Sequence, residues 1–327
     1  MAIRWTDRGY SQLINSFKTI IKDRKKLAAY SIGFSLAIAA AALNAVADVL
    51  PKPILDDGIS FSGLNPISMV AVMYLINGLV FTGISAKKNP YKDVGKKNFW
   101  FLVIIGGVEI TATTTFYFGL KETSAVNSAI LGNSDIIFTS ILAMVVFREV
   151  IRGREILPYS LILIGSVFIP VGIDLAANDF KLSKLVYGDF LVMIAGLFYG
   201  IEMNIYRYVS ARIDSKRILQ IVSFVGGSGA LLVALALNLP IDLRLQDMPV
   251  ILISGIFGIG VAVLFIVMAI KYIGAVRTIL VFSTTTIFGI IYSFFLLGEE
   301  IVLPHFVAFG IVFFGIYLLR NRMAEEP

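Results

Sequence analysis

The chain of 327 residues is predicted to be an all-α polytopic membrane protein: ten transmembrane helices in two inverted five-helix repeats, with N- and C-termini cytoplasmic. Three observations support that expectation: an excess of apolar residues, a series of separated hydrophobic runs, and a segment that recurs further along the chain. Apolar residues make up 57% of the chain and charged residues 15%, against about 45–50% and about 25% in soluble domains. A soluble fold of this size would leave much of that apolar surface exposed, which favours aggregation. Cysteine is absent and His305 is the single histidine, which excludes a disulfide framework, a thiolate metal site and a His-rich cluster.

A helix crosses the roughly 30 Å hydrocarbon core with about 20 mainly apolar residues. Such runs lie at 28–50, 66–85, 99–118, 124–147, 156–174, 188–207, 218–238, 250–270, 275–297 and 304–320. The alternating pattern of a β-barrel is not evident, and lipid cannot satisfy an open backbone, so the runs read as helices. All but five of the 28 Lys and Arg residues fall in segments that share one side if the N-terminus is inside. The exceptions are Lys52, Lys121, Lys181, Lys184 and Arg244. Positive charge marks the cytoplasmic side, so both termini are placed there. The net charge of +6 is thereby explained as topology and contact with anionic lipid, with no nucleic-acid partner.

Residues 1–27 place Trp5, Leu13, Ile14, Phe17, Ile20 and Ile21 at helical spacing before Lys22, Arg24, Lys25 and Lys26. That pattern predicts a basic amphipathic helix at the membrane surface. The same region imitates a signal peptide, with the small residues Ala45-Val46-Ala47 after an apolar run. Cleavage is not expected, because the first apolar helix has a counterpart in the second half.

That counterpart belongs to an internal repeat. Residues Lys121 to Glu149 lie without a gap over Lys271 to Glu299, matching Lys121/Lys271, Ala125/Ala275, Val126/Val276, Ile137/Ile287, Phe138/Phe288, Ile141/Ile291 and Glu149/Glu299. After each copy comes a helix opening at Leu157-Pro158 or Leu303-Pro304, where proline suits the first turn. Five helices per repeat is an odd number, so the second copy must enter the membrane from the other side. An inverted repeat lets two near-equivalent halves exchange conformations, opening the cavity between them first to one face and then to the other.

These features resemble tandem EamA domains of the drug/metabolite transporter (DMT) superfamily. In each half the fourth helix opens with an Ala-Val step after a tight hairpin and closes with a Glu. The place of the Trp-Gly-type pair of the first helix, with a basic residue eight positions on, is taken by Asn44-Ala45 with Lys52 and by Tyr199-Gly200 with Arg207. The resemblance divides the chain into a cytoplasmic basic segment (1–27), a first EamA-like repeat (28–174), an extracytoplasmic loop (175–187), a second EamA-like repeat (188–320) and a cytoplasmic tail (321–327). It implies a multi-pass transporter in the plasma membrane, with no cofactor and with a small-molecule substrate and the lipid bilayer as partners. Cargoes of the superfamily include amino acids, drugs, nucleotide sugars and phosphorylated metabolites.

Ionisable side chains within spans are costly, so they are candidates for function. Glu109, twelve residues before Lys121, and Asp135, fourteen after it, fall at nearly the same depth on two helices joined by a short turn. Glu202, with Asn204 nearby, is the third such candidate. Asn44, Asn77 and Tyr199 could meet a substrate or hold helices together, and Asp48 reads as a residue of the outer vestibule. Ser283, Thr284, Thr285 and Thr286 surround most of a helix turn with hydroxyls, so one or two should face a cavity. Arg277 is placed at the cytoplasmic interface, while Glu149, Glu299 and Glu300 at helix ends read as structural.

The deep ionisable residues are acidic, and no Lys or Arg lies at mid-depth. This points to export of amino acids or amine-bearing compounds, with Glu109 and Asp135 binding a cation or a coupling proton. A carrier of nucleotide sugars or phosphorylated metabolites would want deep basic residues. A channel would show a filter-like loop, and a scaffold would need none of these groups. No HExxH, GxSxG or GxxxxGK[ST] motif occurs, so enzymatic activity is not expected.

Overall fold

The structure, a computed structural model, describes residues 29–56, 64–85, 94–147, 153–154, 156–165, 172, 184–241 and 244–324. The amphipathic segment 1–27, most of the 175–187 loop and Glu149 lie outside the described residues. Those described are helical, with no strand among them. Helix α1 covers 29–49 and is extended by a turn at Lys52–Leu55. It is followed by α2 (Pro66–Ser85), α3 (Gly95–Glu122), α4 (Ala125–Leu131 and Ser134–Phe147) and α5 (Ile156–Leu163). Next come α6 (Lys184–Ser210), α7 (Ser215–Ala236), α8 (Met248–Ile273), α9 (Ala275–Phe282 and Thr285–Leu297) and α10 (Leu303–Ala324). Seven helices among the described residues are long and apolar enough to cross a membrane, and Leu303–Leu318 is a shorter apolar one.

Local chemistry sets where these helices begin. Pro66 opens α2, with Asn65 Oδ1 accepting from the Ile67 amide at 2.9 Å. Asp214 caps α7 by accepting from the Lys216 amide, and Ser124 caps α4 by accepting from Asn127, both at 3.0 Å. Residue 274, the counterpart of Ser124 before α9, is a glycine at φ +82°, a backbone region that glycine enters without steric cost.

Two spans expected to be continuous helices, 124–147 and 275–297, are each broken. In α4 the break falls at Gly132-Asn133 and in α9 at Ser283-Thr284, within one residue of equivalent positions of the repeat. In α9 the cause is visible: Ser283, Thr284 and Thr285 donate their hydroxyls to the carbonyls of Leu280, Val281 and Phe282 at 2.6–2.8 Å. These local bonds compete with the helical ladder. The breaks meet where the two helices cross. Asn133 Nδ2 donates to Thr286 Oγ1 at 2.7 Å, and Thr286 Oγ1 donates to the Ala129 carbonyl at 2.8 Å.

Helices of the two halves pack closely through small residues. A Cβ added at Gly119 would sit 2.8 Å from the Gly188 carbonyl, and one at Gly188 would sit 2.8 Å from the Gly119 carbonyl, so α3 and α6 touch backbone to backbone. The corresponding approach of α8 to α1 is made by Gly258, whose added Cβ would meet the Ala47 backbone nitrogen at 2.8 Å. Gly258 lies in a π-helical stretch, Ile253–Val261, inside α8.

Two large apolar clusters fill most of the interior. One gathers Leu102, Ile105, Tyr206, Val222, Ile266 and Leu280, and the other gathers Ala47, Met73, Tyr74, Tyr117, Val192 and Ile259. Outside, Leu79, Val145, Leu232 and Phe295 are more than 60% exposed, as helices facing lipid require. The end of α9 is tied to the start of α4, with Glu299 Oε1 accepting from the Ala125 amide and Oε2 from the Val126 amide, each at 2.9 Å. The terminal Glu of the second half thus touches the Ala-Val step of the first.

Candidate functional site

A cavity of about 120 Å³ lies between the two apolar clusters and takes lining residues from both. Helices α1, α2, α3, α4, α6, α8 and α9 wall it. Its carboxylates are Asp48, Glu109, Asp135 and Glu202, and no Lys, Arg or His is among its lining residues. Tyr74, Tyr117, Tyr199 and Tyr206 also line it. The volume is well below the about 300–1,000 Å³ of drug-sized sites, so this conformer has room for a small ligand only.

Glu109 stands at the centre of a hydrogen-bond network. It is 4% exposed. Tyr74 donates to its Oε1 and Tyr206 to its Oε2, both at 3.0 Å. Thr113 sits 2.9 Å from the Tyr74 hydroxyl and accepts from Tyr199 at 3.4 Å. With both oxygens taken by phenol donors, Glu109 is solvated as a carboxylate by the protein itself. Glu202 lies one helical turn before Tyr206 on α6 and shares that phenol's surroundings. It is 6% exposed, and its Oε2 has no hydrogen-bond partner.

On the other wall Asp48 Oδ2 accepts from Asn44 Nδ2 at 2.9 Å, and Asp135 lies in the first turn after the break in α4. Both aspartates are only half-buried. Asp48 therefore lines the central cavity, where a vestibule position was expected, because α1 carries it inward to face α4.

The expected residues do not all share this cavity. Asn44, Glu109, Asp135, Tyr199, Glu202, Ser283 and Thr285 do. Asn77 does not: it is buried on α2, donating to the Gly255 carbonyl of α8 at 2.8 Å, because the packing of α8 covers that face. Thr284 does not either. It lines a second cavity of about 450 Å³ between α1, α9 and α10, since the break turns it away from the centre. Asn204, beside Glu202, donates to the Thr139 and Gly200 carbonyls at 3.1 and 2.8 Å and so joins α6 to α4. Arg277 lies 5.9 Å from the Tyr30 ring, on the second cavity.

Sequence reasoning missed Tyr74, Thr113 and Asn133 as site residues. Tyr206 stands at i+4 from Glu202, a spacing that places both on one helix face and was a usable signal. Asp189 was missed as well. It is fully buried, and its Oδ1 accepts from Thr123 Oγ1 at 2.6 Å beside the α3–α4 hairpin, away from the cavity.

Comparisons with known proteins agree with this architecture. A protein of Methanothermobacter thermautotrophicus, named an uncharacterized transporter, is 26% identical over 280 residues, covering 80% of each chain. A second uncharacterized transporter, from Clostridium kluyveri, is 24% identical over 274 residues, covering 80% of this chain and 85% of its own. A solved structure titled only as the crystal structure of a protein superposes with a TM-score of 0.63 at 15% identity, covering 91% of this chain and 99% of its own. That likeness concerns the fold. The profile of the EamA-like transporter family matches twice, at residues 31–170 and 186–321, and the chain belongs to that family, consistent with the drug/metabolite transporter superfamily.

Proposed function

We propose that the protein is an alternating-access secondary transporter of the plasma membrane that exports small amine-bearing compounds, amino acids among them, with proton coupling. Ten membrane crossings, in two inverted repeats with both termini cytoplasmic, are part of this reading. The crossings comprise the seven long apolar helices, α10, and the shorter described segments of α4 and α5. The observation that carries the reading is the cavity: four carboxylates, four tyrosines and no basic side chain line it. A protonated amine gains charge-assisted hydrogen bonds there and a favourable face-on contact with phenol rings.

The position of the cavity supports alternating access. It lies at the breaks of α4 and α9, the discontinuous-helix arrangement in which transporters bind substrate between repeats. Exchange of nucleotide sugars or phosphorylated metabolites is disfavoured, because a phosphate would face carboxylates without a compensating cation.

The test is thermal stability of the purified protein in detergent against amines, amino acids, sugar phosphates and nucleotide sugars at two pH values, with Glu109→Gln alongside. A ligand at a hundred times its dissociation constant adds about 2.7 kcal/mol. Amine-bearing compounds are expected to stabilise the wild type and to lose that effect in Glu109→Gln. Stabilisation by phosphorylated compounds, indifferent to Glu109, would refute the acidic site.

A further inference from the structure

The geometry points to Glu202 as the coupling residue, the one carboxylate in the cavity for which a proton and a substrate ammonium compete. This rests on the reading of the protein as an amine transporter and adds to it a division of labour among the four acids. Glu109 and Glu202 lie close together, sharing Tyr206, and two neighbouring carboxylates cannot both ionise cheaply in a buried site. Their partners decide between them. Glu109 has a phenol donor on each oxygen, so its anion is already solvated.

Glu202, also a lining residue of the cavity, is equally buried, but its Oε2 has no hydrogen-bond partner. A buried polar atom without a partner is costly. Either a proton on Glu202 or an N–H from a ligand relieves that cost, and the two cannot occupy Oε2 together. The other titratable groups around it strengthen the competition. Tyr74 approaches from α2, Tyr199 and Tyr206 from α6, Asp48 from α1 and Asp135 from α4, while α8 and α9 bring none to the cavity. With no basic residue there to neutralise Glu202, only an incoming cation can replace the proton.

The exchange balances. Protonated Glu202 meets an ammonium ion, its O–H proton passes to water, and the carboxylate accepts an N–H of the amine. When the amine leaves on the opposite side, a proton from that side returns to Oε2. The half-buried pair Asp48 and Asp135 binds the cation without taking part in the competition.

Proton release on mixing protein with tryptamine, putrescine or lysine tests this in weakly buffered detergent solution. Infrared difference spectra of the carboxyl C=O stretch are recorded in parallel. The wild type should release about one proton per amine bound and lose one protonated-carboxyl band, and its affinity should rise by up to about tenfold per pH unit where the proton competes. In Glu202→Gln the release and the band change should vanish and affinity should vary less than about twofold with pH. Asp135→Asn should bind more weakly yet keep the wild-type pH slope. Persistence of release in Glu202→Gln, or amine binding to the wild type with no release, overturns the assignment but leaves the amine transporter standing. If none of the three amines binds the wild type, the substrate class itself fails and the assignment falls with it. Should Glu202→Gln not fold, the wild-type band decides: a carboxyl stretch unchanged by bound amine refutes the competition.

Discussion

Glu299 holds the first turn of α4 by accepting one hydrogen bond at each carboxylate oxygen, from the amides of Ala125 and Val126. Under the proposed topology this contact ties the two halves together at the extracytoplasmic end. Replacing Glu299 with Gln keeps one acceptor and turns the other oxygen into an NH₂ that faces an amide N–H. One hydrogen bond to a charged group, about 1.5–3 kcal/mol, is lost, and the partial exposure of Glu299 favours the lower end. A loss of about 2 kcal/mol confined to this conformer shifts its equilibrium with any conformer lacking the contact by about 30-fold.

The protein contains no cysteine, so spin labels at Glu122→Cys and Glu300→Cys report without background. Pulsed electron–electron distance measurements should show one short population in the otherwise native chain. With Glu299→Gln a longer population should appear and become substantial. An unchanged distance distribution together with a lowered melting temperature would refute the reasoning, because it would make Glu299 a helix cap with no part in opening.

Three other outcomes are expected. Thr286→Val removes both the acceptor for Asn133 and the donor to Ala129; it should destabilise by about 1–3 kcal/mol through buried unpaired groups, read as a loss of thermal stability greater than for Thr284→Val. Gly258→Val would drive side-chain atoms into the Ala47 backbone, costing at least about 1–3 kcal/mol, whereas Gly310→Ala meets nothing within 4 Å and should leave thermal stability unchanged. Tyr74→Phe and Tyr206→Phe each take one donor from Glu109, about 1.5–3 kcal/mol apiece. Their effects in the double variant should be non-additive, since both act on one carboxylate; simple additivity in melting experiments would contradict a shared network.

Much of the fold was legible in the chain itself. The apolar runs and the repeat reflect forces that act residue by residue: transfer into lipid, and the need of each helix to satisfy its own backbone. The Ala-Val step and the terminal Glu were visible as a recurring pattern without a reason, and the contact between Glu299 and Ala125-Val126 supplies one. The candidate acids were legible for the same reason, since a carboxylate in an apolar run is conspicuous whatever surrounds it.

What could not be read were relations between helices. Glu109 and Asp135 do share a cavity, but the immediate acidic neighbour of Glu109 is Glu202, because the Gly119–Gly188 approach draws α6 against α3. Asn77 and Asn44 look alike in sequence, yet one is sealed between α2 and α8 and the other opens on the cavity. Helical periodicity gives the faces of each helix but not the partner that each face meets. The break in α9 likewise depends on hydroxyls choosing local carbonyls over the ladder, and Asn133 and Thr286 bridge the two broken helices there. Composition and period therefore determined the class of the protein and the acidic nature of the ionisable residues within its spans. The tertiary structure alone decided which acids meet and which carboxylate oxygen is left without a partner, because close packing and hydrogen bonding are properties of pairs of segments and of no single one.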